Sequence, residues 1–284
     1  MRLKSHFLFR RFWLSLCFSF LIVPAFASYV LIPMDAESQK EHLKAYGITY
    51  WTLNQQQKVK WLLNYRGGAF LLTDTEALQK ECMIRGVSFE VLSDSKTEAI
   101  LAEIESPSQN MEAIVLEKAP KIAVYTPDGS VPWDDAVTMV LEYAEIPYTK
   151  IYDREVLADE LVLYDWLHLH HEDFTGQYSK FYSYHRMPWY QQQQASSESM
   201  AKRLGYPTVS EEKKAVARTI RSYVSQGGFL FAMCSATETL EIALSAEYTD
   251  MVAPEYDHTP LDPDSQAKLD FNKTFVFENF TLQI

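Results

Sequence analysis

The chain has 284 residues, is 47% hydrophobic and 14% aromatic, and sets 26 Lys and Arg against 38 Asp and Glu, a net charge of −12. That balance argues against nucleic acid as a partner, since phosphate binding needs a basic face. The length and aromatic content suit one large domain or two small ones.

In chain order, residues 1–27 read as a secretory signal peptide. Arg2, Lys4, Arg10 and Arg11 make a positive n-region, Phe12 to Val23 an apolar h-region, and Ala25-Phe26-Ala27 a small-x-small cleavage site before Ser28. Lipid anchoring through Cys17 is disfavoured by the bulky Leu16 before it. Cleavage removes four basic residues and no acidic one, leaving 22 against 38 and a charge of −16 on 257 residues. The expectation is an exported, acidic, soluble protein, periplasmic or extracellular, with no stable membrane span once the signal is removed. Cys82 and Cys234 then remain, able to form one disulfide in an oxidising compartment or to stay free.

Residues 28–119 read as a smaller N-terminal α/β unit. Tyr29 to Pro33 is a short strand, Gln39 to Tyr46 a helix stopped by Gly47, and Gln57 to Asn64 a second helix. Ala69 to Leu72 is a strand, Glu76 to Arg85 a helix closed by Gly86, and Val87 to Leu92 a strand. Arg66-Gly67-Gly68 reads as a glycine turn in preference to an anion site, and Pro107 to Asn110 as a linker.

Residues 120–284 give a cleaner β-α-β order. Ile122 to Tyr125 is a strand, Trp133 to Ala144 a helix begun by Asp134 and Asp135, and Tyr148 to Tyr152 a strand; Leu161 to His170 contains another. The segment Phe174 to Ser210 is an aromatic and amide-rich excursion holding Trp189, read as a packed insertion in preference to a lid. Glu211 to Ser225 is a strong helix. Gly227 to Ala246 then reads as a strand buried on both faces, a sharp turn at Cys234 and a helix. This order predicts a doubly wound parallel sheet with its site at the carboxyl ends of the strands. Asp128, the histidine-rich segment and Cys234 fall at such ends. Lys273 to Ile284 reads as a strand without an obvious end, as in a chain truncated at its C-terminus.

In YDWLHLHHED, residues 164–173, alternation along an extended strand puts His168, His170 and Glu172 on one face and His171 on the other. The three histidines therefore do not converge on a metal, and neither metal nor cofactor is expected. His170, His171 or Glu172 at the strand end is placed to reach Cys234 as a general base. Cys234, His170 and Glu172 are thus the catalytic candidates, and Asp128, His168, His171, Ser235 and Trp189 the binding candidates. Polar groups that merely order neighbouring loops by hydrogen bonding are the alternative reading.

GGFLFAMCSATETLEIALSA, together with YDWLHLHHEDFTGQYSKFY, resembles a secreted bacterial family commonly labelled asparagine synthetase B. That family is similar in fold to the class I glutamine amidotransferases and their trehalose-utilisation-type relatives. The resemblance implies a flavodoxin-like sheet with Cys234 at the nucleophile position of the elbow. ATP-dependent asparagine synthesis is not expected, because residue 2 is Arg2 within the signal peptide and no SGGxDS loop occurs. Active amidotransferases take a His and a Glu from downstream of the cysteine, whereas here only His258 follows Cys234. Two function classes stay open. One is a non-catalytic module binding a small molecule, a glycan or an envelope protein, which is the favoured reading. The other is a thiol-dependent amidohydrolase in which Cys234 attacks a carboxamide.

Overall fold

The computed structural model describes residues 28–127 and 135–283, so residues 1–27, expected to be a signal peptide, and Asp128, Trp133 and Asp134 lie outside the described residues. The chain divides between Lys118 and Ala119 into two compact units. Each carries its own sheet.

The first unit runs β1 (Ser28–Ile32), α1 (His42–Asn54), β2 (Val59–Leu63), β3 (Ala69–Thr73), α2 (Glu76–Arg85), β4 (Glu90–Ser93), α3 (Asp94–Ile104) and β5 (Glu112–Leu116). Its sheet has the order β4-β1-β3-β2-β5, and every pair is antiparallel. Leu31, Leu62, Leu71, Leu92 and Ile104 meet in one apolar cluster. The helix α2 starts and stops as the sequence indicates: Thr75 accepts from the Leu78 N–H at 3.1 Å, and Gly86 takes a left-handed φ of 70°.

Four expectations for this unit need correction. Residues 57–64 form β2 instead of a helix, because the segment is an interior strand paired with β3 on one side and β5 on the other. The first helix passes through a buried Gly47 to Asn54, and the chain turns where Gln56 takes a φ of 60°. The strand expected from Val87 begins at Glu90. Pro107 to Asn110 joins α3 to β5 inside the unit and is no boundary. The Arg66-Gly67-Gly68 segment is a tight turn, in which a Cβ on Gly67 would fall 2.5 Å from the Met34 carbonyl. Arg66 is itself engaged, by Glu90 at 2.6 Å and Asp35 at 3.4 Å.

The second unit runs β6 (Ile122–Tyr125), α4 (Ala136–Ala144), β7 (Thr149–Ile151), α5 (Asp153–Leu157), β8 (Trp166–Leu169), α6 (Pro188–Arg203), α7 (Val209–Ser225), β9 (Phe229–Ala232), α8 (Ser235–Ser245) and α9 (Pro254–Asp257). Its sheet has the order β7-β6-β8-β9 and is parallel throughout. The central strand β6 is buried at all its positions, as an apolar run between two parallel neighbours should be. One face of the sheet, with Ala123, Tyr125, Leu167 and Leu169, packs on Val156 of α5, Val216 and Ile220 of α7 and Leu240 and Leu244 of α8.

The strand β9 departs from expectation. Phe229 and Phe231 on its other face are 60% and 42% exposed, so it is an edge strand covered on one face only. Gly228 precedes it because the Tyr223 ring lies where a Cβ would stand, 2.2 Å away. Lys273 to Gln283 forms no strand. The N–H groups of Phe275 and Val276 donate to the Glu241 carboxylate at 2.9 and 3.2 Å, which takes the place of a strand partner. Among the described residues both cysteines are free: Cys82 is buried, with its thiol pushed up to about 12 by that burial, and Cys234 is exposed.

The crossover from β6 to β7 goes one way along the sheet and the return to β8 goes the other. The order therefore reverses at β6, which opens a crevice at the carboxyl ends of β6 and β8. Among the described residues no helix is long and apolar enough to cross a membrane.

Candidate functional site

Asp135, just after β6, organises one side of this crevice. Its carboxylate accepts from the Val137 N–H at 2.7 Å, capping α4, and also meets His168 Nε2 at 2.9 Å and His170 Nδ1 at 3.5 Å. His168 is fully buried, and burial lowers its pKa against the opposing pull of Asp135. Against the Asp135 carboxylate, Nε2 is the donor of this contact, and Nδ1 is buried on the far side of the ring. His168 and His170 share one face, as strand alternation requires, with ring centroids 6.2 Å apart.

Alternation stops at Leu169, and Glu172 goes elsewhere. Its carboxylate turns back to accept the His170 N–H at 3.0 Å, and it lines the same cavity as His171. Glu172 thus parts from His168 and His170, contrary to the single-face expectation. Burial raises its pKa. The following Asp173 accepts from Thr175 and Tyr178 and fixes the loop, so its carboxylate is committed to local structure.

Cys234 sits between β9 and α8 with φ 54° and ψ −141°, a conformation disfavoured for any residue with a Cβ. The β8–β9 ladder continues up to it through Met233 N–H to Leu169 O at 3.1 Å, and Ala236 N–H then donates to His170 O at 3.1 Å. Ser235 Oγ donates to His171 O at 3.0 Å, and Thr239 Oγ1 to Glu172 O at 2.9 Å. The elbow and the histidine segment are thus held together by backbone acceptors. Among the described residues no hydrogen bond joins the Cys234 thiol to His170, His171 or Glu172. The ring nitrogens of His170 and His171 instead face each other at 2.9 Å.

A cavity of about 580 Å³ opens above this segment. Its lining combines the polar residues His171, Glu172, Ser235, Glu238 and Thr239 with the aromatic Tyr178, Phe181 and Trp189. Trp189, near the start of α6, is 44% exposed and meets Phe181 edge-on at 6.1 Å. Its neighbour Tyr190 is buried and anchors the helix. The excursion is thus packed insertion and cavity wall at once.

The cavity floor was missed by sequence reasoning. Lys213 of α7 is buried and bonds Asp153 at 2.7 and 2.8 Å, Tyr125 Oη at 2.8 Å and Tyr152 Oη at 3.1 Å. Tyr125 donates to Asp153 through a short contact. Burial alone would lower the Lys213 pKa, but Asp153 outweighs it and the net shift is upward, so the ammonium persists. Glu212 is buried beside this pair, and burial together with the Asp153 charge pushes it up to about 7. The one available signal was Tyr152-Asp153 at the end of a predicted strand.

Among the described residues no cluster of three or more His, Cys, Asp or Glu is arranged around a metal. No known protein family, curated protein sequence or solved structure matches the chain.

Proposed function

We propose that this is an exported protein whose parallel-sheet unit, of the flavodoxin-like and class I glutamine amidotransferase-like kind, binds a glycan in the cavity beside Trp189. The observation that carries the reading is the composition of that cavity. A half-exposed indole lines the cavity together with carboxyl and hydroxyl groups. A sugar ring stacks its C–H face on such an aromatic surface, while its hydroxyls need fixed acceptors and donors around the rim.

A second reading keeps one specific observation on its side. The strained backbone of Cys234, at φ 54° and ψ −141°, is the posture of a nucleophile presented at a strand-to-helix turn. Under that reading Cys234 attacks a carboxamide and His170, oriented by Asp135, takes the proton.

Both readings are tested on the mature chain beginning at Ser28. A saccharide array is read with the wild type, Trp189→Ala and Cys234→Ser, alongside ammonia release from primary amides. The glycan reading expects selective saccharide binding, lost in Trp189→Ala and kept in Cys234→Ser, with no ammonia. Ammonia release abolished by Cys234→Ser, without saccharide binding, would replace it with the thiol enzyme.

A further inference from the structure

The cavity floor has an asymmetry that follows from counting protons. An ammonium has three hydrogens, and those of Lys213 serve Asp153, Tyr125 and Tyr152, with the two Asp153 oxygens at 2.7 and 2.8 Å and the phenols at 2.8 and 3.1 Å. Lys213 therefore has no hydrogen left for a ligand. The two phenols differ in what they do next. Tyr125 donates its own hydrogen bond to Asp153 and is buried. Tyr152 accepts from Lys213 and lines the cavity, and among the described residues its hydroxyl has no acceptor. Burial raises the Tyr152 pKa, so the phenol keeps its proton. Its O–H is left to donate from a residue that lines the cavity, polarised by the bond it accepts from the ammonium.

Glu172 supplies the complement. Its carboxylate accepts the His170 N–H, keeps lone pairs free to accept again, and lines the same cavity. A group that both accepts and donates through one atom fits between such a donor and such an acceptor, and a hydroxyl is that group.

The geometry points to Tyr152 as the specificity-determining residue of the cavity: backed by Lys213, it donates to a ligand hydroxyl that in turn donates to Glu172. This rests on the glycan-binding reading and deepens it, because it selects a neutral saccharide hydroxyl over a bare cation or an apolar group. Tyr152→Phe removes the donor without removing the ring. Tyr125→Phe removes the other phenol bonded to Lys213 and is the control for general disturbance of the buried cluster.

The test titrates glucose, galactose, mannose and N-acetylglucosamine, with their monodeoxy analogues, into the mature wild type and both variants. Binding is followed by tryptophan fluorescence and folding by thermal melts. The expected result is an affinity loss of roughly tenfold or more in Tyr152→Phe, little change in Tyr125→Phe, and one deoxy analogue whose weaker binding is indifferent to Tyr152→Phe. If saccharides bind the wild type and Tyr152→Phe binds them equally, or if both variants weaken binding alike, the inference is overturned while the glycan reading stands. If no saccharide binds the wild type, both fall together.

Discussion

The two units bury different things. In the antiparallel unit the buried polar residues are neutral, Gln39, Thr49, Thr52 and Thr97; the ion pairs of Arg66 with Glu90 and Lys58 with Glu117 lie where water reaches them, while the Arg85 side chain, paired with Glu81 at 3.2 Å, is 9% exposed. In the parallel unit Asp135, Asp153, His168, Glu172, Glu212, Lys213, Lys214 and Glu241 are all buried. Ionisable groups out of water are stable only where partners are exact in geometry, and here most of them gather at the carboxyl ends of the strands. The antiparallel unit has the economy of a domain held by its apolar cluster. The parallel unit maintains a polar interior around a cavity, which is what a binding site requires and a stability optimum does not.

The largest effect expected from this contrast comes from Lys213→Met. It leaves Asp153 buried without its cation and should destabilise the parallel unit by about 3–5 kcal/mol. Calorimetry should show one transition moved down and the transition of the antiparallel unit in place. Adding Asp153→Leu should recover much of the loss, since an apolar pair of similar volume removes the stranded charge. Loss of less than about 1 kcal/mol in the single variant would mean that the buried cluster is incidental.

A middle-sized effect concerns pH. The folded pKa of Glu212 is raised from 4.5 to about 7. The native state therefore holds a proton through a window in which the unfolded chain has released it. This contribution is fully present below about pH 4.5 and is lost as pH rises through about 7. Glu212→Gln is neutral throughout, so between about pH 5 and pH 8 its Tm should fall less than that of the wild type, by roughly a few degrees. Parallel Tm curves for the two proteins would contradict the assignment.

The smallest effect belongs to the other unit. Arg66→Ala removes two partly exposed ion pairs and should change stability by about 1 kcal/mol or less, measured by denaturant unfolding. A larger loss would erase the distinction between the units.

The legible parts of the chain were those in which local chemistry and tertiary structure agree. Gly227-Gly228, the run FLFA and a helix after Cys234 identify the elbow, because glycine, an apolar strand and a helical period each mark their own segment. The β-α-β order gave the parallel sheet for the same reason. Residues 57–64 are expected as a helix and form a strand, because pairing with β3 on one side and β5 on the other decides the segment. Glu172 was assigned to the wrong face because strand alternation was carried beyond Leu169, where the strand ends. Lys213 sits in EEKK, which reads as a solvated helix face until the fold sets Tyr125, Tyr152 and Asp153 against it. Asp135 was seen as a helix start, and its hold on two histidines depends on β6 and β8 being neighbours.

The most direct test of the central claim is hydrogen–deuterium exchange of the chain from Ser28 onward, with and without the tightest saccharide found. Ligand-dependent protection confined to residues 171–193 and 235–239, with the antiparallel unit unchanged, is the result predicted. Protection in the antiparallel unit, or none at the cavity walls, would contradict it.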